Sequence, residues 1–251
     1  FEYTEYPSLI RGGHNVVEVR ISDEKVYSQE KGVDVLVCLN AETLKLHQAE
    51  LKAKGLILYD EEKTDLTKLG INKRQDIAYV HVPFTKILQD AALPTVMLNN
   101  IALGALMSIM DADVGILHDL IVENFSRKGT EVIDKNMQAA KMGYDFVKSN
   151  FGEGYRLKIP KLATIVPKIY ATGNDIIGLG AIAAGCKCYV AYPMTPSSAL
   201  LHYLASKAEK SGMIVKHAED EISVINMALG ASWAGVRSMV GTSGGGFALM
   251  V

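Results

Sequence analysis

Cysteine is scarce in this chain. Only Cys38, Cys186 and Cys188 occur, the last two separated by one residue and with no second pair elsewhere. That spacing excludes a thiolate-held iron–sulfur cluster or zinc site and leaves buried, reduced thiols, which suit an intracellular, cytoplasmic protein. An excess of either charge is lacking too, the formal net charge being −2 over 251 residues. With no basic run interleaved with aromatics, nucleic-acid binding is excluded as the main role. The longest uncharged run, residues 91–110, has the length of a membrane span, but Pro94 and the Asn99-Asn100 pair interrupt it. A strand, a turn and a buried helix are expected there instead. There is no signal peptide and no initiating methionine, so the sequence reads as a piece of a longer chain, lacking residues at both ends.

What is present is a globular composition, 49% apolar, enough for one large or two ordinary domains. Residues 16–21 alternate as a strand with one wet face does. Arg11-Gly12-Gly13-His14 before it reads as a hairpin or loop, with an anion-binding turn as the other reading. A β-branched core strand is expected at 33–39, a helix at 41–53 and a strand at 55–60. This β-α-β rhythm predicts a parallel, doubly wound sheet. A further strand at 77–82 and helices at 84–92, 119–125 and 132–147 follow. The last helix carries Asn136, Ala139, Ala140 and Gly143 at close-packing intervals. Residues 148–168 have little periodicity and two prolines, Pro160 and Pro167, and read as a linker.

Two later stretches stand out. Tyr192-Pro193-Met194-Thr195-Pro196-Ser197-Ser198 lies between a strand at 188–191 and a helix at 199–210, at the kind of strand end where open α/β folds place ligands. Ser197 and Ser198 are expected as helix caps. The second stretch, 217–250, opens with Glu219, Asp220 and Glu221 and then carries no charge until Arg237. Acids favour the first turn of a helix, and the uncharged run predicts a buried helix body. Gly230, Ala231, Ser232, Ala234 and Gly235 imply a close neighbour there, and Trp233 reads as packing. A short strand at 237–240 then leads to Thr242-Ser243-Gly244-Gly245-Gly246, expected as a turn with three residues free to take positive φ, and to another helix. Arg237 reads as a strand-edge salt bridge, or else as a contact for a substrate carboxylate. Residues 178–183 satisfy GxGxxA, but a dinucleotide fingerprint follows a strand; here a polar turn, 171–175, precedes it and the strand comes after. Nicotinamide or flavin is not expected, and these small residues are expected to let a helix lie close against the sheet.

Taken together, residues 192–198 and 217–250, with Gly173-Asn174-Asp175 and Gly180-Ala181, resemble the pyrimidine-binding domain of the 2-oxoacid:ferredoxin oxidoreductases. The first 150 residues resemble the gamma domain of the same enzymes. The matching pieces there are Tyr6-Pro7 with Arg11-Gly12-Gly13, the Asp34 strand, Asn100 to Gly104, and Lys128 to Val132 through Asn136 and Gly143-Tyr144. The resemblance implies an α/β fold of two doubly wound domains. A gamma-type, Rossmann-like domain occupies 1–150, a linker 151–170 and an incomplete thiamine-diphosphate pyrimidine-binding domain 171–251. Gly245 stands where the family usually has proline.

What the resemblance implies about activity is oxidative decarboxylation of a 2-oxoacid on thiamine diphosphate, with electrons passed to ferredoxin and the acyl group to coenzyme A. Glu221, nine residues before Gly230, would be the carboxyl beside the aminopyrimidine, a role that needs burial and a fixed position. Glu219 and Asp220 read as a solvated helix start. Thr195 would lie beside the thiazolium; from the residues alone it reads equally as the threonine of a rigid turn. Tyr192, Pro193, Thr242 and Ser243 would line the cofactor pocket with Glu221. No metal ligand is expected, because the diphosphate motif GDG with its following asparagine is absent, as is a cluster-binding cysteine set. Magnesium and the iron–sulfur clusters would then belong to partner subunits of a hetero-oligomer, the beta subunit above all, and this chain alone would be inactive. The gamma–alpha order with a YPxTPSS loop favours 2-oxoglutarate, although pyruvate, branched-chain and indolepyruvate branches share the chemistry. A non-catalytic scaffold subunit and a free-standing nucleotide-binding protein are the competing readings.

Overall fold

The computed structural model describes residues 1–5, 13–151, 157–159 and 169–251. Tyr6, Pro7, Arg11, Gly12, Pro160 and Pro167 lie outside these. The chain divides into two units, Phe1–Thr164 and Ile165–Val251.

In the first unit, β1 (Glu2–Glu5) and β2 (Val16–Val19) form an antiparallel ribbon. The strand is where alternation predicts it, but Val17 and Val19 are exposed while Val16 and Glu18 are half-buried. Among the described residues the ribbon pairs with no third strand, so no wider sheet covers its apolar side. A parallel sheet follows, with β3 (Val33–Cys38), β4 (Leu51–Tyr59) and β5 (Ala78–His81) in sequential order. Alternate residues of β4 face opposite cores. Leu56 and Leu58 join one cluster with Val80, Phe84 and Ile101, and Ile57 and Tyr59 the other with Leu36, Cys38 and Leu44. Both faces of the sheet are covered, as a doubly wound parallel sheet requires.

The helix expected at 41–53 stops early. Helix α1 (Ala41–His47) is capped by Asn40, whose Oδ1 accepts the Thr43 amide at 2.9 Å, but Leu51 already pairs with Val33. Pairing with β3 prevails over helical polarity in 51–53, and a register shift between Val33 and Val35, with Lys54 at φ 66°, absorbs the misfit. Helix α2 (Phe84–Asp90) has no cap of its own at Pro83. Buried Asp60 at the end of β4 supplies one, accepting the amides of Thr85 at 2.8 Å and Glu62 at 3.0 Å.

The strand expected near 96 does not form. Residues Thr95–Met97 make one 3-10 turn, and α3 (Leu98–Ile109) is a helix throughout. Asn100 is no breaker there, since its side chain donates to Asn136 of α5 (Thr130–Asn150) at 2.5 Å. The small residues of α5 serve the close approach expected of them. A β-carbon on Gly143 would overlap the Ile101 carbonyl oxygen, and one on Gly104 would overlap that of Ala140. Helix α4 (Gly115–Phe125) packs on the same pair.

Cys38, in the second of these cores, is 1% exposed, and burial pushes its thiol from the ordinary 9.0 up to about 12. Because the folded value is the raised one, the linked stability is present below about pH 9 and fades as pH climbs toward 12. At about pH 8.5 the thiolate is therefore negligible, and iodoacetamide is expected to leave Cys38 unmodified until denaturant unfolds the unit. Mass spectrometry checks this, and rapid alkylation of the native protein would refute it.

The second unit runs α6 (Gly173–Ala183), β6 (Cys188–Ala191), α7 (Ser198–Ser211), β7 (Ile214–His217), α8 (Glu221–Trp233), β8 (Ser238–Gly241) and α9 (Gly244–Met250). Its sheet is parallel in the order β7-β6-β8. Tyr189 and Ala191 face the core under α6 and α7, and Cys188 and Val190 the core under α8. The three cysteines are free and buried. Among the described residues no helix is long and apolar enough to cross a membrane.

Several expectations are corrected here. Residues 173–175 are not a turn but the start of α6, where Thr172 and Asp175 form a reciprocal capping box. The GxGxxA glycines therefore sit inside a helix. Gly178 gives close approach to α7 rather than to the sheet, a β-carbon there meeting Tyr203 Cδ1 at 2.5 Å and Leu200 Cδ1 at 3.2 Å. The body of α8 is buried on one stripe only. Val224 and Ala228 are covered, while Leu229 is 60% and Trp233 95% exposed, as befits a helix lying on one face of a three-stranded sheet. Beyond neighbouring residues of the chain, no described residue comes within 4 Å of a β-carbon on Gly230 or Gly235, whereas Ala231 packs on the core under α8 and the Ser232 hydroxyl meets that of Ser238. The three glycines after Ser243 are the first turn of α9, and none has a positive φ. Arg237 makes no salt bridge among the described residues; its guanidinium donates to the Ala184 carbonyl at the amino end of the strands.

Candidate functional site

The three strands of the second sheet end in register, Ala191 pairing with His217 on one side and Gly241 on the other. The segments that follow them therefore emerge along one carboxyl edge. After β6 come Tyr192, Pro193 and Thr195, after β7 the three acids, and after β8 Thr242 and Ser243.

The acids divide their work. Asp220 is the N-cap of α8, its Oδ1 accepting the Ser223 amide at 2.7 Å, and that backbone bond holds its carboxyl below the usual range. Glu219 is exposed. Glu221, the first residue of the helix, turns inward and is 5% exposed. Its Oε1 is buried and has no hydrogen-bond partner among the described residues, and the same holds for Thr242 Oγ1. Both atoms border the space above Gly246. A β-carbon there would overlap Thr242 Oγ1 and lie 2.7 Å from Glu221 Oε1.

The loop after β6 is closed by Ser197, whose hydroxyl and amide both donate to the Met194 carbonyl, at 2.7 and 2.8 Å. Ser197 thus occupies the cap position of α7 without capping it by its side chain, a correction to its expected role. Asn174 of α6 donates to the Pro196 carbonyl at 3.3 Å and ties the loop down. Thr195 is exposed on this loop, and Tyr192 is half-exposed with its ring 6.1 Å from that of His217. Ser243 is the cap residue of α9, again without a side-chain cap bond. The structure thus brings Glu221 and Thr242 together around Gly246, and sets Tyr192, Pro193, Thr195 and Ser243 along the same edge. Across 192–198, 217–221 and 241–246, His217 is the one side chain able to carry positive charge. Among the described residues no group of His, Cys, Asp or Glu is arranged to hold a metal.

Gly241 was not singled out from the sequence, and Gly246 was read only as one of three turn glycines. Gly241 leaves room for the Tyr189 hydroxyl, which a β-carbon would overlap. That hydroxyl is buried, lacks a described partner and is pushed by burial to about 12. Three adjacent glycines in a row read as backbone freedom, and nothing local shows that one of them makes space for an oxygen.

Two parallel-sheet units, the second with a buried acid at its strand ends, define an α/β protein with a ligand-type carboxyl edge. Residues 1–146 match the family model for pyruvate ferredoxin/flavodoxin oxidoreductase, and residues 179–251 match its thiamine-diphosphate-binding model. The chain belongs to the pyruvate ferredoxin/flavodoxin oxidoreductase family. It is 26% identical to subunit alpha of 2-oxoacid:ferredoxin oxidoreductase 2 of Aeropyrum pernix, over 98% of this chain and 46% of that one. It is 29% identical to the 2-oxoglutarate oxidoreductase subunit KorA of Mycobacterium tuberculosis, over 97% of this chain and 42% of that one. Among solved structures it is similar to the 2-oxoglutarate:ferredoxin oxidoreductase of Magnetococcus marinus with 2-oxoglutarate, coenzyme A and succinyl-CoA bound. The TM-score is 0.81 at 31% identity, covering 99% of this chain and 43% of that one. The chain spans less than half the length of these relatives.

Proposed function

We propose that this chain supplies the pyrimidine side of a thiamine-diphosphate site in a 2-oxoacid:ferredoxin oxidoreductase acting on 2-oxoglutarate. The observation that carries the reading is Glu221 Oε1, a carboxylate oxygen buried without a partner at the carboxyl edge. Leaving such an atom unpaired costs on the order of 1–3 kcal/mol or more, so the site fits a donor brought by something else. The ring N–H that an aminopyrimidine carries in its imino or protonated form has the right chemistry. When bound, this cofactor supplies a stabilised carbanion for addition to a 2-keto group and a sink for the charge left by carbon dioxide.

The chain's own residues do the rest. Glu221 accepts the ring N–H and shares its proton, Thr195 donates to the keto oxygen, and Tyr192, Pro193, Thr242 and Ser243 wall the ring. With only His217 as a possible cation on this edge, the diphosphate and its magnesium fall to a beta subunit. The iron–sulfur clusters likewise belong to partner subunits that serve ferredoxin, and coenzyme A takes the acyl group. The assembly is a cytoplasmic hetero-oligomer and this chain alone is inactive. Residues 1–150 act as the gamma-type domain, 151–170 as linker and 171–251 as the pyrimidine-binding domain, a division supported by the two units and the two family matches. The names of the Mycobacterium tuberculosis and Magnetococcus marinus relatives support 2-oxoglutarate.

The test is direct. The full-length protein co-expressed with a beta-type chain carrying a diphosphate motif is expected to reduce a viologen dye with 2-oxoglutarate and coenzyme A. Activity should vanish when thiamine diphosphate is removed and return when it is restored. Stable assembly without any 2-oxoacid-dependent reduction would point to a scaffold instead.

A further inference from the structure

Among the described residues, two buried oxygens that border the gap at Gly246 lack partners, and they belong to side chains on different strands' exits. Glu221 Oε1 follows β7, and Thr242 Oγ1 follows β8. A carboxylate can only accept, whereas a threonine hydroxyl has a proton to give. Gly246 borders both oxygens, and its missing side chain leaves the gap they share. A β-carbon there would overlap the hydroxyl oxygen and come within 2.7 Å of Oε1 and 2.8 Å of the Glu221 Cγ. Gly246 is helical and has no positive φ, so the backbone does not demand glycine. The space between the two oxygens does.

We propose that Thr242 is a positioning residue for Glu221, its hydroxyl donating to the carboxylate across the gap kept open by Gly246. Such a bond uses the hydroxyl proton and one lone pair of the carboxylate, leaving its other acceptor sites for the cofactor N–H. It also fixes the plane of the carboxylate, which otherwise swings on the flexible stem of a glutamate. The β-branch limits the rotamers available to Thr242 and makes it a stiffer anchor than serine. The inference rests on Glu221 being the carboxylate that receives the cofactor N–H.

The experiment uses the full-length protein with its accompanying subunits and four variants, Thr242→Val, Thr242→Ser, Gly246→Ala and Glu221→Gln. Thiamine diphosphate affinity is read by titration calorimetry, folding by melting temperature, and turnover by dye reduction. Thr242→Val keeps the shape and removes the donor. It should weaken thiamine diphosphate and lower kcat by about tenfold each, with no fall in melting temperature and no change in KM for the 2-oxoacid. Thr242→Ser should stay within about threefold of the parent, since the donor remains. Gly246→Ala should resemble or exceed Thr242→Val. A fifth variant, Glu221→Ala, removes the acceptor altogether; in that background Thr242→Val should add almost nothing to the loss of thiamine diphosphate affinity, because the two act through one contact. Parent-like affinity and kcat in Thr242→Val would overturn the inference, as would equal damage from Val and Ser, or additive effects in the double variant. If Glu221→Gln alone leaves affinity and turnover intact, the reading of the whole site falls, and this inference with it. The Thr242 results can fail while Glu221 stands.

Discussion

Glutamine in place of Glu221 is expected to lower thiamine-dependent 2-oxoacid oxidation by about a thousandfold in the assembled enzyme, within the range that general acid–base groups supply. The side chain keeps its length and can still accept a hydrogen bond, so the loss isolates charge and proton sharing. The fold should not suffer. Glu221 is 5% exposed with one oxygen unpartnered, and an unpaired buried carboxylate contributes no ion pair that glutamine would break. Melting temperature and subunit association are therefore expected to match the parent while turnover collapses. The neighbouring acids provide the contrast. Asp220→Ala removes the cap bond to Ser223 and should cost about 1 kcal/mol of stability with little change in kcat. Near-normal turnover in Glu221→Gln would remove the proposed role.

The parts of this molecule that were legible in the sequence are those set by local pattern. The β-α-β rhythm of 33–60 gave the parallel sheet, because a strand buried on both faces must be apolar throughout. Asn136, Ala139, Ala140 and Gly143 marked the close face of α5, because helical spacing puts them on one stripe. The role of Glu221 rested on resemblance, but its burial was foreshadowed by the uncharged run it opens. What failed depends on partners far away in sequence. Residues 51–53 look helical until Val33 offers a strand to pair with. Asn100 looks like a breaker until Asn136 accepts from it, 36 residues on. The uncharged body of α8 looked fully buried, yet Leu229 and Trp233 face outward; apolarity reveals that a surface is suited to cover, not which chain covers it. Gly178 was read as a close-approach residue with the wrong partner, Gly246 as a free turn, and Gly241 was passed over. Their neighbours are side-chain atoms brought up by folding, so the need for glycine is invisible locally.

The largest structural effect is expected at Gly143. Two terms oppose each other when alanine replaces it. Alanine favours the helix by roughly 1 kcal/mol over glycine. Against this, the new β-carbon would overlap the Ile101 carbonyl oxygen and lie 2.8 Å from its carbon and 3.1 Å from the Ala105 amide nitrogen. All three obstacles are backbone atoms of α3, which cannot rotate away as a side chain does. Overpacking of a core costs about 1–3 kcal/mol even where side chains can adjust, and more where they cannot. The clash therefore wins, and Gly143→Ala should destabilise the first unit by about 3 kcal/mol, lowering its melting temperature by roughly 6–12 °C in scanning calorimetry. Gly180→Ala is the matched control. It is equally helical but has no described residue within 4 Å of the new carbon, so only the propensity term survives and stability should rise by up to about 1 kcal/mol. Gly104 meets Ala140 across the same crossing. Once Gly143→Ala has forced α3 and α5 apart, Gly104→Ala should cost less than it does alone, a coupling that contacts sharing one interface produce. Additive losses, or a Gly143→Ala protein as stable as its parent, would mean that the two helices do not cross backbone to backbone.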